Sequence, residues 1–436
     1  MLLHQVKRFA TIVIFFCLVS DGYGQQVMPK SLLIRAGKLY DSEKKVFLKN
    51  QEILIQNGII SAVGTKLSAP KGATVIDLGQ HTVTPGLIDA HTHLLISQKQ
   101  TKTGLEEASK IPAEERVKQG LAFARMNLEA GITTVRDVGN SGQFLDMRLK
   151  KLLADNKAAG PELYASGPIL SPPGGQFGKL FPADSFVIDQ EYRVIRGVTD
   201  ARAAVLEHVK QGVNVIKVCM NTDNRVLAPD EINAIVSTAH ENGLPVTAHA
   251  TYDDSARDAV LAGVDGIEHG YVLSDSTLTL MAKRGVYVVP TDVSRQKAAI
   301  MVAGIGMRGK EADDYTTSSL KAFHDRLQRA VAKGVMVVAG SDYYNDIKGI
   351  ERGRGAVDVV LSYKEAGIPA ADVMRFATYN GAKALGILDQ VGIIKKGMKA
   401  NLTAFNGDLE NNFEKALFDV KAVVRNGELV YRSTAK

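Results

Sequence analysis

Thr84-Pro85-Gly86-Leu87-Ile88-Asp89-Ala90-His91-Thr92-His93 decides the fold. Its first half is a short apolar run after turn signals, which reads as a strand at 84–89. Its second half places two histidines two residues apart. In extended backbone such residues point to the same side, so both imidazoles can face one point beyond the strand end. Outward from this segment the pattern repeats, with further strand candidates at 133–137, 162–166, 213–218, 246–250, 266–269, 287–290 and 335–339. Amphipathic stretches such as 202–211, 229–242 and 319–333 fill most of the gaps. Eight alternating units over about 300 residues are the pattern of an α/β, (β/α)8 TIM barrel. A doubly wound open sheet is the alternative, but no Gly-rich phosphate loop follows the first strand.

The flanks have another texture. Leu32-Leu33-Ile34, Glu52-Ile53-Leu54-Ile55 before Asn57-Gly58, and Thr74-Val75-Ile76 read as strands and hairpins, as do Leu402-Thr403-Ala404-Phe405, Ala422-Val423-Val424 and Leu429-Val430-Tyr431. Both chain ends are expected to join in one small β-sandwich domain. The expected division is 25–84 and 385–436 for that domain and 85–384 for the barrel.

The 436 residues, 45% hydrophobic and 23% charged, exclude disorder, collagen and coiled coil as the main architecture. The 53 Lys plus Arg against 47 Asp plus Glu give +6, spread without a dense run, so no nucleic-acid partner is expected. Lys7-Arg8, an apolar run at 9–19 and Ser20-Asp21-Gly22-Tyr23-Gly24 describe a secretory signal over 1–24. That run is too short for the ~20 residues of a membrane span. The expectation is an exported protein, periplasmic or secreted, with no membrane contact after cleavage. It would keep Cys219 as its one thiol and therefore no internal disulfide.

A barrel places its active site at the C-terminal strand ends. The metal-capable residues falling there are His91 and His93 on the first strand, Lys217 on the fourth, His249 on the fifth, His269 on the sixth and Asp342 after the eighth. Imidazole and carboxylate suit zinc or a similar divalent ion. By contrast His81, His208, His240 and His324 lie away from strand ends and read as structural. Glu268 should point away from His269 by strand alternation. Arg136-Asp137 reads as an ion pair supporting the barrel mouth, with a substrate contact as the alternative.

These segments, with Gly263-Val264-Asp265-Gly266-Ile267-Glu268-His269-Gly270, Ala339-Gly340-Ser341-Asp342 and Val391-Gly392-Ile393-Ile394-Lys395-Lys396-Gly397, resemble the amidohydrolase superfamily from about residue 32 to 430. The chain is most similar to the imidazolonepropionase-like branch with Xaa-Pro and Xaa-Arg dipeptidases and ochratoxin-type amidases. The resemblance implies two divalent ions, zinc by expectation. His91, His93 and Asp342 would hold one, His249 and His269 the other, and a carboxylated Lys217 would bridge both. It implies a hydrolase in which metal-bridging hydroxide attacks the amide carbonyl of a small-molecule substrate, a dipeptide or N-acyl amino acid. Asp342 would move the proton, and Tyr252 would donate a hydrogen bond to the oxyanion. Superfamily members are often homo-oligomers.

Two readings stand beside this one. They are a mononuclear cyclic-amide hydrolase or deaminase, and, outside enzymes, a periplasmic solute-binding protein. One departure concerns substrate. Related dipeptidases often carry a histidine after the third strand, where this chain has Gly174-Gly175-Gln176-Phe177-Gly178. Gln176 cannot become cationic. The segment 291–318 after strand seven is expected to cover the site.

Overall fold

The computed structural model describes residues 31–434 apart from 100, 102, 155–158, 177–184 and 222–225. The secretory-signal segment 1–24 and residues Phe177 and Gly178 lie outside the described residues.

The barrel strands are Leu87–Thr92, Ile132–Asp137, Glu162–Ala165, Ile216–Cys219, Val246–Ala250, Gly266–His269 and Tyr287–Val289. Most are buried along their whole length, as parallel strands covered on both faces must be. All ladders among them are parallel. A few backbone hydrogen bonds complete the ring. Asn214 N donates to Ala165 O (2.8 Å) between the third and fourth strands, and Val338 N donates to Val288 O (2.9 Å) between the seventh and eighth. Ala90 N donates to Ala339 O (2.9 Å) and Asp342 N to His91 O (2.9 Å), which joins the eighth segment back to the first strand.

The eighth segment is the weakest match to expectation, since only the bridge Val288–Val337 gives it ladder character. Gly340 explains why the chain can still close there. A Cβ at this position would lie 2.7 Å from the Cβ of His91 and 2.3 Å from Val289 Cγ1, so any larger residue would push the eighth segment off the first. Helices between strands end in turns of the expected chemistry. The helix Asp253–Ala262 stops at Gly263 with φ +94°, a left-handed cap that feeds the sixth strand.

The expected first strand at 84–89 divides between two sheets. Residues 84 and 85 end the long strand Thr74–Pro85 of the flanking domain, and the barrel begins at Leu87. That flanking domain is one continuous seven-stranded sheet built from both chain ends. Its order from the C-terminal edge is Glu428–Arg432, Val420–Arg425, Leu402–Asn406, Thr74–Pro85, Ser31–Asp41, Val46–Gln56 and Ile59–Gly64. The sheet curls so that its Ile59–Gly64 edge meets the segment leading into Leu402–Asn406. Ile60 N donates to Met398 O (2.9 Å) and Ala400 N to Gly58 O (2.8 Å). Inside the curl lies an apolar cluster that includes Leu32, Ile34, Ile53, Ile55, Ile60, Ile76 and Leu402. Among the described residues no helix is long and apolar enough to cross a membrane.

Candidate functional site

The strand ends bring six sequence-selected side chains to one place. His91 and His93 lie 3.3 Å apart at their Nε2 atoms. Asp342 Oδ1 sits 3.1 Å from His93 Nε2 and 3.5 Å from His91 Nε2. Its backbone is left-handed at φ +46°, which turns the carboxylate into the ring after the eighth segment. His269, also left-handed at φ +72°, brings Nδ1 to 3.8 Å from Asp342 Oδ2. The His269 ring lies between those of His91 and His249, with centroids 5.1 and 4.7 Å away. The parallel register pairs Cys219 with His249 and Ala250 with His269, so neighbouring strands deliver their side chains at one level. Lys217 is buried from the fourth strand, and its Nζ has no hydrogen-bond partner.

This donor set fits divalent cations. Burial pushes the imidazoles of His91, His249 and His269 well below their usual range, and the charge of Lys217 adds to the shift. They are therefore neutral imidazoles with lone pairs that could be given to a cation. At His93 burial is outweighed by the Asp342 contact, which raises its pKa. At Asp342 burial is outweighed by His91, His93 and Lys217, which hold the carboxyl below its usual value. Burial brings Lys217 down to about 8. A buried ammonium without an acceptor is costly, and nitrogen lone pairs crowded at 3.3 Å repel one another. A cation among the imidazoles relieves the second, and beside it the amine of Lys217 would have to be neutral or modified. Three ligand atoms, from His91, His269 and Asp342, already lie within 4.8 Å of one another.

Every histidine of the ring is also held from outside. His91 Nδ1 meets Glu268 Oε2 at 2.6 Å, and His93 Nδ1 donates to Gly139 O at 2.7 Å. His249 Nδ1 lies 3.1 Å from Gln176 Nε2, and His269 Nδ1 lies 2.9 Å from Thr291 Oγ1. Thr291 adopts φ +56°, a strained conformation for a β-branched residue. Such outer partners fix ring orientation and tautomer in metal sites.

The ring opens into a cavity of about 630 Å³, its mouth included. Ile96, Leu105 and Ile169 supply an apolar wall, while Gln98, Asn140, Gln176, Tyr192 and Tyr344 supply polar contacts. Gln176 thus lies at the site, beside His249. Tyr344 stands edge-on to His93, with centroids 5.6 Å apart. Sequence reasoning missed Asn140, Tyr192 and Tyr344. Only Tyr344, two residues beyond Asp342, carried a local signal.

Four expectations need correction. Tyr252 does not reach the cavity. It is the residue before helix Asp253–Ala262, and its side chain is 59% exposed. Glu268 does not point away: it faces inward opposite His249, and the left-handed backbone of His269 turns that residue to the same side, against the alternation on which the reading rested. Glu268 is fully buried against His91. Arg136 does support the barrel mouth, but its carboxylate partner is Glu268 at 2.5 Å rather than Asp137. Asp137 instead accepts from Leu94 N and Thr92 Oγ1. Finally, 291–318 does not cover the cavity. Most of it folds into helix Arg295–Gly304 and the start of helix Gly309–Ala332, and none of it lines the cavity.

The other histidines are placed as expected, outside the ring. His208 is buried with its ring nitrogens 2.8 Å from Ala204 O and Pro168 O, and His240 pairs with Asp265 on the surface.

Comparison with known proteins extends these observations. The Amidohydrolase family model matches residues 82–430. Ochratoxinase of Aspergillus niger is 26% identical over 431 residues, covering 90% of this chain and 85% of that protein. Imidazolonepropionase of Fusobacterium nucleatum is 23% identical, covering 89% of this chain and 93% of that protein. Among solved structures, a Xaa-Pro dipeptidase with methionine bound in its active site matches with TM-score 0.79 and 28% identity. That match covers 93% of this chain and all of the other.

Proposed function

Because the chain belongs to the amidohydrolase family and is a hydrolase acting on amide bonds, we propose that it is a binuclear metal-dependent enzyme cleaving a dipeptide or an N-acyl amino acid. The observation carrying this reading is Lys217, a buried amine with no partner, set among three neutral histidines and the carboxylate of Asp342. Near pH 8 a large part of this amine is uncharged, the form that can take up carbon dioxide as a carbamate. Such a carbamate would be an anionic bridging ligand. His91, His93 and Asp342 would hold one ion, and His249 and His269 the other. Two ions in that position supply a strongly polarised water and a Lewis-acid contact for the scissile carbonyl.

The chain's own groups do the rest. Asp342 is an anion at the centre of the ring, and its carboxylate can accept a proton from the attacking water and return it to the departing nitrogen. Tyr344 lines the cavity edge-on to His93, in a position from which substrate can be contacted. Gln98, Asn140 and Gln176 offer neutral hydrogen bonds suited to amide groups. The wall of Ile96, Leu105 and Ile169 suits an apolar side chain, in keeping with the methionine held by the similar dipeptidase.

A second reading has an observation of its own. The tight group of His91, His269 and Asp342 is enough for one ion, as a mononuclear enzyme would use. Metal analysis separates the two. A metal-reconstituted screen against dipeptides and N-acyl amino acids should find turnover that chelator removes, and absence of metal binding would sink both readings. Export rests on residues 1–24. N-terminal sequencing of the mature protein should begin at Gln25, and an intact Met1 in the exported fraction would contradict it.

A further inference from the structure

Glu268 is a fully buried carboxylate with both oxygens committed. Oε2 meets His91 Nδ1 at 2.6 Å. Oε1 accepts from Arg136 Nη2 at 2.5 Å and from the Thr247 hydroxyl. Arg136 is itself tied down, donating through Nε to Ala90 O (2.7 Å) and through Nη1 to the Tyr287 hydroxyl (2.6 Å). The group therefore links the first, second, fifth, sixth and seventh barrel strands in one layer. A carboxylate accepts and does not donate, so its contact with His91 requires the proton on Nδ1. That leaves Nε2, the nitrogen facing His93 and Asp342, with its lone pair free.

We infer that Glu268 is a positioning residue for the metal ring. It fixes His91 as the Nδ1–H tautomer with Nε2 toward the ions, while Arg136 and Thr247 hold Glu268 itself out of the ring. The second half of the inference follows from competition. A carboxylate this close to divalent cations would be a ligand itself unless its oxygens were held elsewhere, and both are. The inference rests on the metal-dependent reading above.

The glutamine variant is the informative one. Glu268→Gln keeps the volume but turns one oxygen into a donor. That donor must face either the Arg136 guanidinium, which has only donors, or His91 Nδ1, which it would force to the Nε2–H tautomer. Three measurements test this on the full chain. Nitrogen-15 NMR of the metal-free wild type should find His91 protonated at Nδ1, and Nε2 protonation would overturn the inference without any variant. Co²⁺ affinity, measured by competition with a chromophoric chelator, should fall about 10–100-fold in Glu268→Gln, the range for losing an outer-layer partner of a metal ligand. The His91 signal should shift toward the other tautomer.

Glu191→Gln is the control. Glu191 is equally buried and paired with Arg116 at 2.7 Å, but touches no ring histidine. It should lower the thermal midpoint of the metal-free chain and leave Co²⁺ affinity unchanged. If Glu268→Gln behaves like Glu191→Gln, Glu268 is only a structural ion pair and the inference fails. If the wild type itself binds no Co²⁺, the metal-dependent reading fails first, and the inference with it.

Discussion

The curled sheet and the strand-end ring are both buried, yet they are built from opposite chemistry. The sheet encloses Ile34, Ile53, Ile55, Ile60 and their neighbours, apolar side chains whose burial needs no partner beyond close packing. The ring buries histidines and a lysine around a partly buried aspartate, each costly to desolvate. In the sheet every contact serves stability. At the ring the outer partners are satisfied while Lys217 Nζ is left without one, so the ring is incomplete without a ligand. Stability and function should therefore separate by region.

The sharpest break would come at Asp342. Asp342→Asn should lower kcat by about 10²–10⁴-fold, the range of a lost general acid–base group, in a chain that remains folded by circular dichroism. Steady-state kinetics on any substrate found in the screen checks it, and near-normal kcat would remove Asp342 from the proton path. The sheet should respond in the reverse sense. Ile53→Ala, at a fully buried position, should cost about 2–5 kcal/mol of stability in urea unfolding while turnover per folded molecule is kept.

A third contrast is in pH. The sheet cluster holds no titratable group, whereas the barrel buries several. Burial, with the Asp137 charge adding, pushes the Asp146 carboxyl up to about 7. The folded chain then holds that proton more tightly than the unfolded chain, whose carboxyl titrates at roughly 4. Its contribution to stability is complete below that value and is lost as pH rises through 7. Asp146→Asn should flatten this part of the profile between pH 4.5 and 7.5, and an unchanged slope would contradict the assignment. The smallest effect is expected at Tyr252. Tyr252→Phe should leave kcat/KM within about twofold, since an exposed side chain outside the cavity makes no contact with substrate. A loss of tenfold or more would return it to the site.

The ring was legible because strand ends obey a short local rule. His91-x-His93 faces one way by alternation, and His249, His269 and Asp342 each close an apolar run. Where the backbone leaves that rule, reading failed. Glu268 faces inward by its register opposite His249, and the left-handed turn brings His269 to the same side; no local pattern announces such a turn at a histidine. Arg136 found a carboxylate 132 residues away in preference to its neighbour, a choice made by the closed barrel. The cavity wall was the least legible part. Asn140 and Tyr344 come from loops, and Tyr192 from the start of the short strand Tyr192–Val194, whose course over the site depends on packing among distant segments; the helices Arg295–Gly304 and Gly309–Ala332 replaced a segment expected to cover the mouth. The two-ended sheet was readable in its strands, while its curl depends on the contacts of 398–400 with 58–60.

Metal stoichiometry with and without Lys217 tests the central claim most directly. Wild-type protein reconstituted with Zn²⁺ in bicarbonate buffer should carry two ions per chain by inductively coupled plasma mass spectrometry. Lys217→Ala should carry one or none and lose turnover by about 10³-fold or more, the several kcal/mol that metal polarisation supplies. Two ions and full activity in Lys217→Ala would contradict the account.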